Sequence, residues 1–97
     1  MVMTILEARV STDNWAALEQ AYQQAAQMKE PGLEQSFLIH SLKDADLWRI
    51  LTVWHSREAL EKMRNSGETP RGVLIFRSAN AEPVLSIFEI AQHIVMK

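Results

Sequence analysis

Two stretches of the chain carry apolar side chains at both parities. Over residues 47–55 one parity holds Trp48, Ile50, Thr52 and Trp54, while the other holds Leu47, Leu51 and Val53 with Arg49 and His55. Over residues 84–96, Val84, Phe88, Ile90 and Ile94 oppose Leu85, Ile87, Ala91 and Val95. A strand with one face in water alternates apolar and polar residues. Both stretches therefore predict strands that need cover on two faces, and a short chain has few elements to supply it.

The remaining pattern fills in the elements around these strands. Residues 2–10 predict a first strand with Val2, Thr4, Leu6, Ala8 and Val10 on one face and Met3, Ile5, Glu7 and Arg9 on the other. Ser11-Thr12-Asp13-Asn14 is a run of helix N-cap residues, whose side-chain oxygens can accept the free N–H groups of a first turn. The helix that follows shows Trp15, Leu18, Tyr22, Ala25 or Ala26, and Met28 at three-to-four spacing until Glu30-Pro31-Gly32 stops it. Residues 33–42 predict a second strand, and Lys43-Asp44-Ala45-Asp46 a hairpin loop into the third. Ser56 caps a second helix with Glu58 in its first turn, a stripe of Ala59, Leu60 and Met63, and an i,i+4 pair between Glu58 and Lys62. After Asn65-Ser66-Gly67, Thr69-Pro70 predicts an N-cap and first helical position for a short helix reaching about Ala81. Glu82-Pro83 then leads into one long final strand over 84–96.

The order is βαββαβ with an extra short helix before the last strand. It predicts an α+β, ferredoxin-like domain spanning 1–97, with a four-stranded antiparallel sheet and helices on one side. The uncovered apolar face of that sheet then calls for a second copy of the chain, two sheets meeting in a barrel-like core. A homodimer is the expected assembly.

Composition narrows the partners. Ten Lys and Arg against twelve Asp and Glu leave a net charge of −2, without the basic face that a phosphate backbone requires, so no nucleic-acid partner is expected. With no cysteine, disulfides, thiolate catalysis and cysteine-bound metal clusters are excluded. The apolar start is broken by Glu7 and Arg9 well short of the ~20 residues that span a bilayer. It also lacks the positive segment of a secretory signal. A cytoplasmic protein without a membrane partner is expected.

Candidate chemistry is sparse. His40, His55 and His93 fall on three predicted strands without metal-ligand spacing, so no metal is expected. Glu7 and Glu89 sit among apolar neighbours, a setting that suits either a raised-pKa base or a carboxylate paired with Arg9 or Arg49. No Gly-x-Ser-x-Gly elbow or glycine-rich phosphate loop occurs. Trp15, Trp54, Met63 and Phe76, together with Tyr22, are candidates to line a hydrophobic small-molecule cavity between helices and sheet. Their helical spacing also suits plain core. Arg71 and Arg77 on the short helix suit an anionic ligand or a solvated surface.

Several local runs carry a resemblance. Thr4-Ile5-Leu6-Glu7-Ala8-Arg9 before a helix, Pro31-Gly32-Leu33-Glu34, Leu51-Thr52-Val53-Trp54-x-Ser56 with Glu58-Ala59-Leu60, and Glu82-Pro83-Val84 together resemble the antibiotic biosynthesis monooxygenase (ABM) domain family. The resemblance covers essentially the whole chain and implies a dimeric α/β barrel. One branch of that family oxidises polycyclic aromatic phenols to quinones with molecular oxygen and no cofactor. By that resemblance the chain is expected to be a cofactor-independent monooxygenase acting on a hydrophobic, quinol-like aromatic. The alternative is a non-catalytic dimeric module that binds a small ligand on the same scaffold. A second branch degrades heme with an asparagine on strand one, a tryptophan on the second helix and a histidine on the short helix. The end of the chain and residues 49–56 are closer to that branch, but its three positions fall on Ala8, on Met63 and near Val73 or Ile75. Without an axial histidine, heme chemistry is not expected.

Overall fold

The structure is a computed structural model that describes residues 1–96. Strand β1 (Val2–Arg9) leads through a 3-10 turn at Thr12–Asn14 into helix α1 (Trp15–Ala26). Strands β2 (Leu33–His40) and β3 (Leu47–Trp54) form a hairpin, followed by α2 (Arg57–Arg64), α3 (Arg71–Ser78) and β4 (Val84–Glu89). The sheet is antiparallel throughout in the order β2-β3-β1-β4. That is the expected ferredoxin-like arrangement.

Strand parity sets the two faces. Val2, Thr4, Leu6, Ala8 and Val10 are all buried under the helices. The intervening Met3, Ile5 and Glu7 are half-buried on the opposite face. Directly paired residues share a face, so Trp48, Ile50, Thr52 and Trp54 of β3 join the helix side through their pairing with Ala8, Leu6, Thr4 and Val2.

The apolar core under the helices is in two parts. At one end α1 and α3 close over Leu6, Ala8, Val10, Trp48 and Ile50, with Leu18 and Phe76 fully sealed. At the other end Leu60 of α2 packs on Val2 and Trp54, flanked by Leu33, Ala59 and Met63. Ser56 caps α2 as its sequence indicated, its hydroxyl accepting the Ala59 N–H at 3.1 Å. Among the described residues the α2 ion pair is Glu61–Arg64 at 3.9 Å, and the Glu58–Lys62 pair does not form.

Two elements differ in extent from expectation. The last strand ends at Glu89 instead of running to Met96, because β1 offers nothing further to pair with: Glu89 lies opposite Val2, and the Ile90 N–H reaches the Met1 carbonyl at 3.0 Å. Residues 91–96 continue exposed beyond the sheet. The short helix is bounded by Pro70, whose ψ of 143° is extended, so that helical geometry begins at Arg71 and not at the proline.

Candidate functional site

Between the two parts of the core lies a cavity of about 1160 Å³. Its floor is the helix side of the sheet, at Thr4, Leu6, Ile50 and Thr52. Its walls come from the end of α1 at Tyr22 to Ala26, from Leu60 and Met63 of α2, and from Val73 to Ile75 of α3. Helices α2 and α3 are short, eight residues each, and are separated by the loop 65–70, which with both helices contributes to the cavity lining over the middle of the sheet. The indole N–H of Trp54 points back to the floor and donates to Thr4 Oγ1 at 3.2 Å. Across the cavity the Tyr22 hydroxyl donates to Ser36 Oγ at 2.8 Å.

Most of the charged groups at the rim are engaged, Lys29 and Glu68 being the lining residues without an ion pair among the described residues. Arg71 donates to the carbonyls of Met28 (2.6 Å) and Lys29 (3.1 Å) and pairs with Glu30 at 2.8 Å, tying the end of α1 to the start of α3. Arg77 makes a forked contact with both oxygens of Glu82. That hydrogen bond holds the Glu82 carboxyl below its ordinary value and raises the Arg77 guanidinium above its own. His55 Nδ1 meets Glu34 at 2.8 Å.

Of the residues singled out in the sequence, Trp54, Met63 and Tyr22 line this cavity. Trp15 and Phe76 do not. Phe76 is fully sealed in the core under α3. Trp15 turns to the far end of the sheet, where its indole donates to the Val10 carbonyl at 2.8 Å and its ring stands edge-on to His40 and Trp48. His40 lies flat on Trp48 with ring centroids 3.9 Å apart. His40, opposite Trp48, and His55, beyond Trp54, thus lie at opposite ends of β3, and among the described residues no group of three or more His, Cys, Asp or Glu is placed to hold a metal ion. Glu7 pairs with Arg49, its cross-strand neighbour on the face away from the helices. Arg9 instead meets Asp44 at 2.6 Å, and Glu89 is exposed at the end of β4.

The heme-branch positions also resolve. Ala8 is packed in the core, whereas Met63, Val73 and Ile75 do face the cavity. No histidine or cysteine lies on its wall, and the one tyrosine is committed to Ser36. Of the usual protein ligands of heme iron, histidine and cysteine are thus missing from the lining among the described residues, and methionine is present at Met28 and Met63.

The residues that sequence alone did not single out are Thr4, Thr52 and Ser36 on the floor and edge. Their signal was a polar residue on an otherwise apolar strand face, at Thr4 between Val2 and Leu6 and at Thr52 between Ile50 and Trp54.

A ferredoxin-like α+β domain with a roomy, mainly apolar cavity between sheet and helices defines a class of small-molecule-binding proteins. Within it, the chain belongs to the antibiotic biosynthesis monooxygenase family, whose sequence profile matches residues 1–72. No curated protein sequence matches the chain. Among solved structures, it is similar to a candidate antibiotic biosynthesis monooxygenase from Deinococcus radiodurans, with TM-score 0.77 and 17% identity over 100% of this chain and 99% of that one. It is similar to SnoaB, a cofactor-independent oxygenase from Streptomyces nogalater, with TM-score 0.71 and 14% identity over 95% and 94% of the two chains. A MhuD variant with two manganese protoporphyrin IX molecules bound per active site gives TM-score 0.74 and 19% identity over 99% and 100%. At these identities the likenesses establish the fold.

Proposed function

We propose that the chain is a cytoplasmic, homodimeric monooxygenase that acts on a hydrophobic, quinol-like aromatic without metal or organic cofactor. The observation that carries this is the cavity: a mainly apolar chamber with room for an aromatic ligand, walled by Trp54 and Met63, with hydroxyl groups on its floor and charged residues at its rim. In cofactor-free oxygenation the deprotonated substrate itself gives an electron to oxygen. The protein supplies orientation, exclusion of water and hydrogen bonds to developing charge. Membership of the family and the fold shared with SnoaB both support the assignment. Oxygen uptake measured against a panel of dihydroxyaromatics and hydroquinones tests it. Enzyme-dependent uptake with at least one member is expected, and background rates across the panel would overturn it.

A second reading, a ligand-binding module without catalysis, is favoured by one feature. Glu30 and Glu82 are paired with arginines and Glu34 is hydrogen-bonded to His55, so three of the four carboxylates lining the cavity, all but Glu68, are engaged. A ligand-soaked crystal distinguishes the two: a carboxylate or histidine released from its pair and placed on the ligand favours the enzyme, and intact pairs favour the binder. For heme, the expected outcome is weak hemin uptake that does not survive gel filtration, with no enzyme-dependent loss of the Soret band under reductant and oxygen. A stoichiometric complex that is consumed faster than free hemin bleaches would contradict it.

The dimer is supported by the sheet face away from the helices. Phe37, Ile39, Val84 and Phe88 lie there 47%, 41%, 70% and 54% exposed, around Met3, Ile5 and Leu51. Contiguous apolar surface of this kind belongs in an interface.

A further inference from the structure

The sheet register aligns three hydroxyl groups in one row across the cavity. Ser36 pairs with Thr52, and Thr52 pairs with Thr4, so the three side chains leave neighbouring strands on the same, helix-facing side. All three line the cavity. The rows on either side are apolar, with Leu38, Ile50 and Leu6 on one and Trp54 and Val2 on the other. The row therefore marks the seam between the two parts of the core.

The three hydroxyls are not equivalent. Thr4 accepts the Trp54 indole N–H, and Ser36 accepts the Tyr22 phenol. Each has used acceptor capacity and keeps its own O–H to donate. Thr52, between them, makes no side-chain hydrogen bond among the described residues. Its hydroxyl is not sealed in the core either, since the buried side-chain polar atom without a partner among those residues is Trp48 Nε1. A free hydroxyl thus opens onto an apolar chamber, flanked by two hydroxyls poised to donate.

We infer that the row Ser36–Thr52–Thr4 reads acceptor oxygens on an otherwise apolar ring ligand, with Thr52 at its centre. The ligand class is a carbonyl- or quinone-type ring whose oxygens are spaced about one strand apart, ~4.8 Å, so that Thr52 and either neighbour can donate to them. A hydrocarbon ring of the same size buries Thr52 without a partner, which costs affinity. The inference rests on the cavity being the ligand site proposed above, and adds which atoms of the ligand the site selects.

The test is calorimetric binding of 1,4-naphthoquinone and of naphthalene, the same ring system without oxygens, to the full chain and its variants. The chain has no cysteine to form thiol adducts with the quinone. Expected is tighter binding of the quinone by the unaltered protein. In Thr52→Val the quinone loses roughly three- to tenfold in affinity while naphthalene does not weaken. Thr52→Ser retains the preference. Should T52V fail to fold, Ser36→Ala on the exposed edge strand carries the test, with a smaller quinone-selective loss expected. Equal effects on both probes, or no effect on either, overturn the inference and leave the cavity as a ligand site. Failure of the unaltered protein to bind either probe removes the cavity assignment, and this inference with it.

Discussion

Two glycines with nearly the same backbone angle bear different loads. Gly32 and Gly67 have φ of +82° and +83°, a region where a Cβ is strained. A Cβ on Gly67 would meet nothing within 4 Å, whereas one on Gly32 would stand 2.4 Å from Ala59 Cβ. Gly32 also holds the start of β2 to the end of β3, its carbonyl accepting the His55 N–H at 2.7 Å. Gly67→Ala is therefore expected to cost only the backbone strain, about 1–2 kcal/mol. Gly32→Ala adds displacement of α2 and should cost about 2–4 kcal/mol. Urea unfolding of both variants checks this; equal losses would show that the contact with Ala59 relaxes freely.

Several charged contacts between elements are external, which makes them sensitive to pH and salt. The Arg77–Glu82 fork joins α3 to the turn before β4. The hydrogen bond from Arg77 holds the Glu82 carboxyl below its ordinary value near 4.5. A depressed folded-state value means that the pair's contribution is fully present above about pH 4.5. It is lost as pH falls through the lower folded-state value. Both groups are solvent-exposed, so the contribution is small and screened by salt. Glu82→Gln is expected to lower neutral stability slightly and to flatten the acid limb of the stability curve below about pH 4.5 by that same small amount. Chemical unfolding across pH 3–7, at about 0.05 and 0.5 M salt, measures it; an unchanged acid limb would show that the fork does not outlast solvent competition.

At the scale of the molecule, the apolar residues on the sheet face away from the helices, Phe37, Ile39, Val84 and Phe88 among them, stay exposed within one chain. If the proposed dimer covers it, light scattering at micromolar concentration should give twice the 11.1 kDa chain mass. Ile5, on the central strand β1 and opposite Leu51, lies in the middle of that face. Ile5→Lys would bury an unpaired charge in the interface but leave the monomer's helix-side core intact. A monomer that retains its far-ultraviolet dichroism is expected. A dimer that persists in I5K would place the interface elsewhere.

Local pattern sufficed for the elements because each rests on interactions close in sequence. The alternation Val2-Thr4-Leu6-Ala8 marked the buried face of β1, Ser56 marked the start of α2, and the two-parity runs fell on β3 and β4, whose apolar residues on the face away from the helices have no helix over them. What sequence left open was set by partners far along the chain. The last strand stops at Glu89 because β1 starts at Val2. Trp15 and Phe76 are open to either cavity or core in the sequence, and packing against His40 and Trp48 places one at the far end of the sheet while α3 seals the other into the core. The cavity itself is built from residues of α1, α2, α3, the loop between α2 and α3, and the sheet, which are brought together only in the fold. The alignment of Ser36, Thr52 and Thr4 follows from strand register, and pairing between strands is decided by tertiary contacts. Sequence determined the elements, their buried faces and the family, because periodicity and caps act locally. Only the tertiary structure decided which side chains share the site, because that depends on register and on the crossing of helices over the sheet.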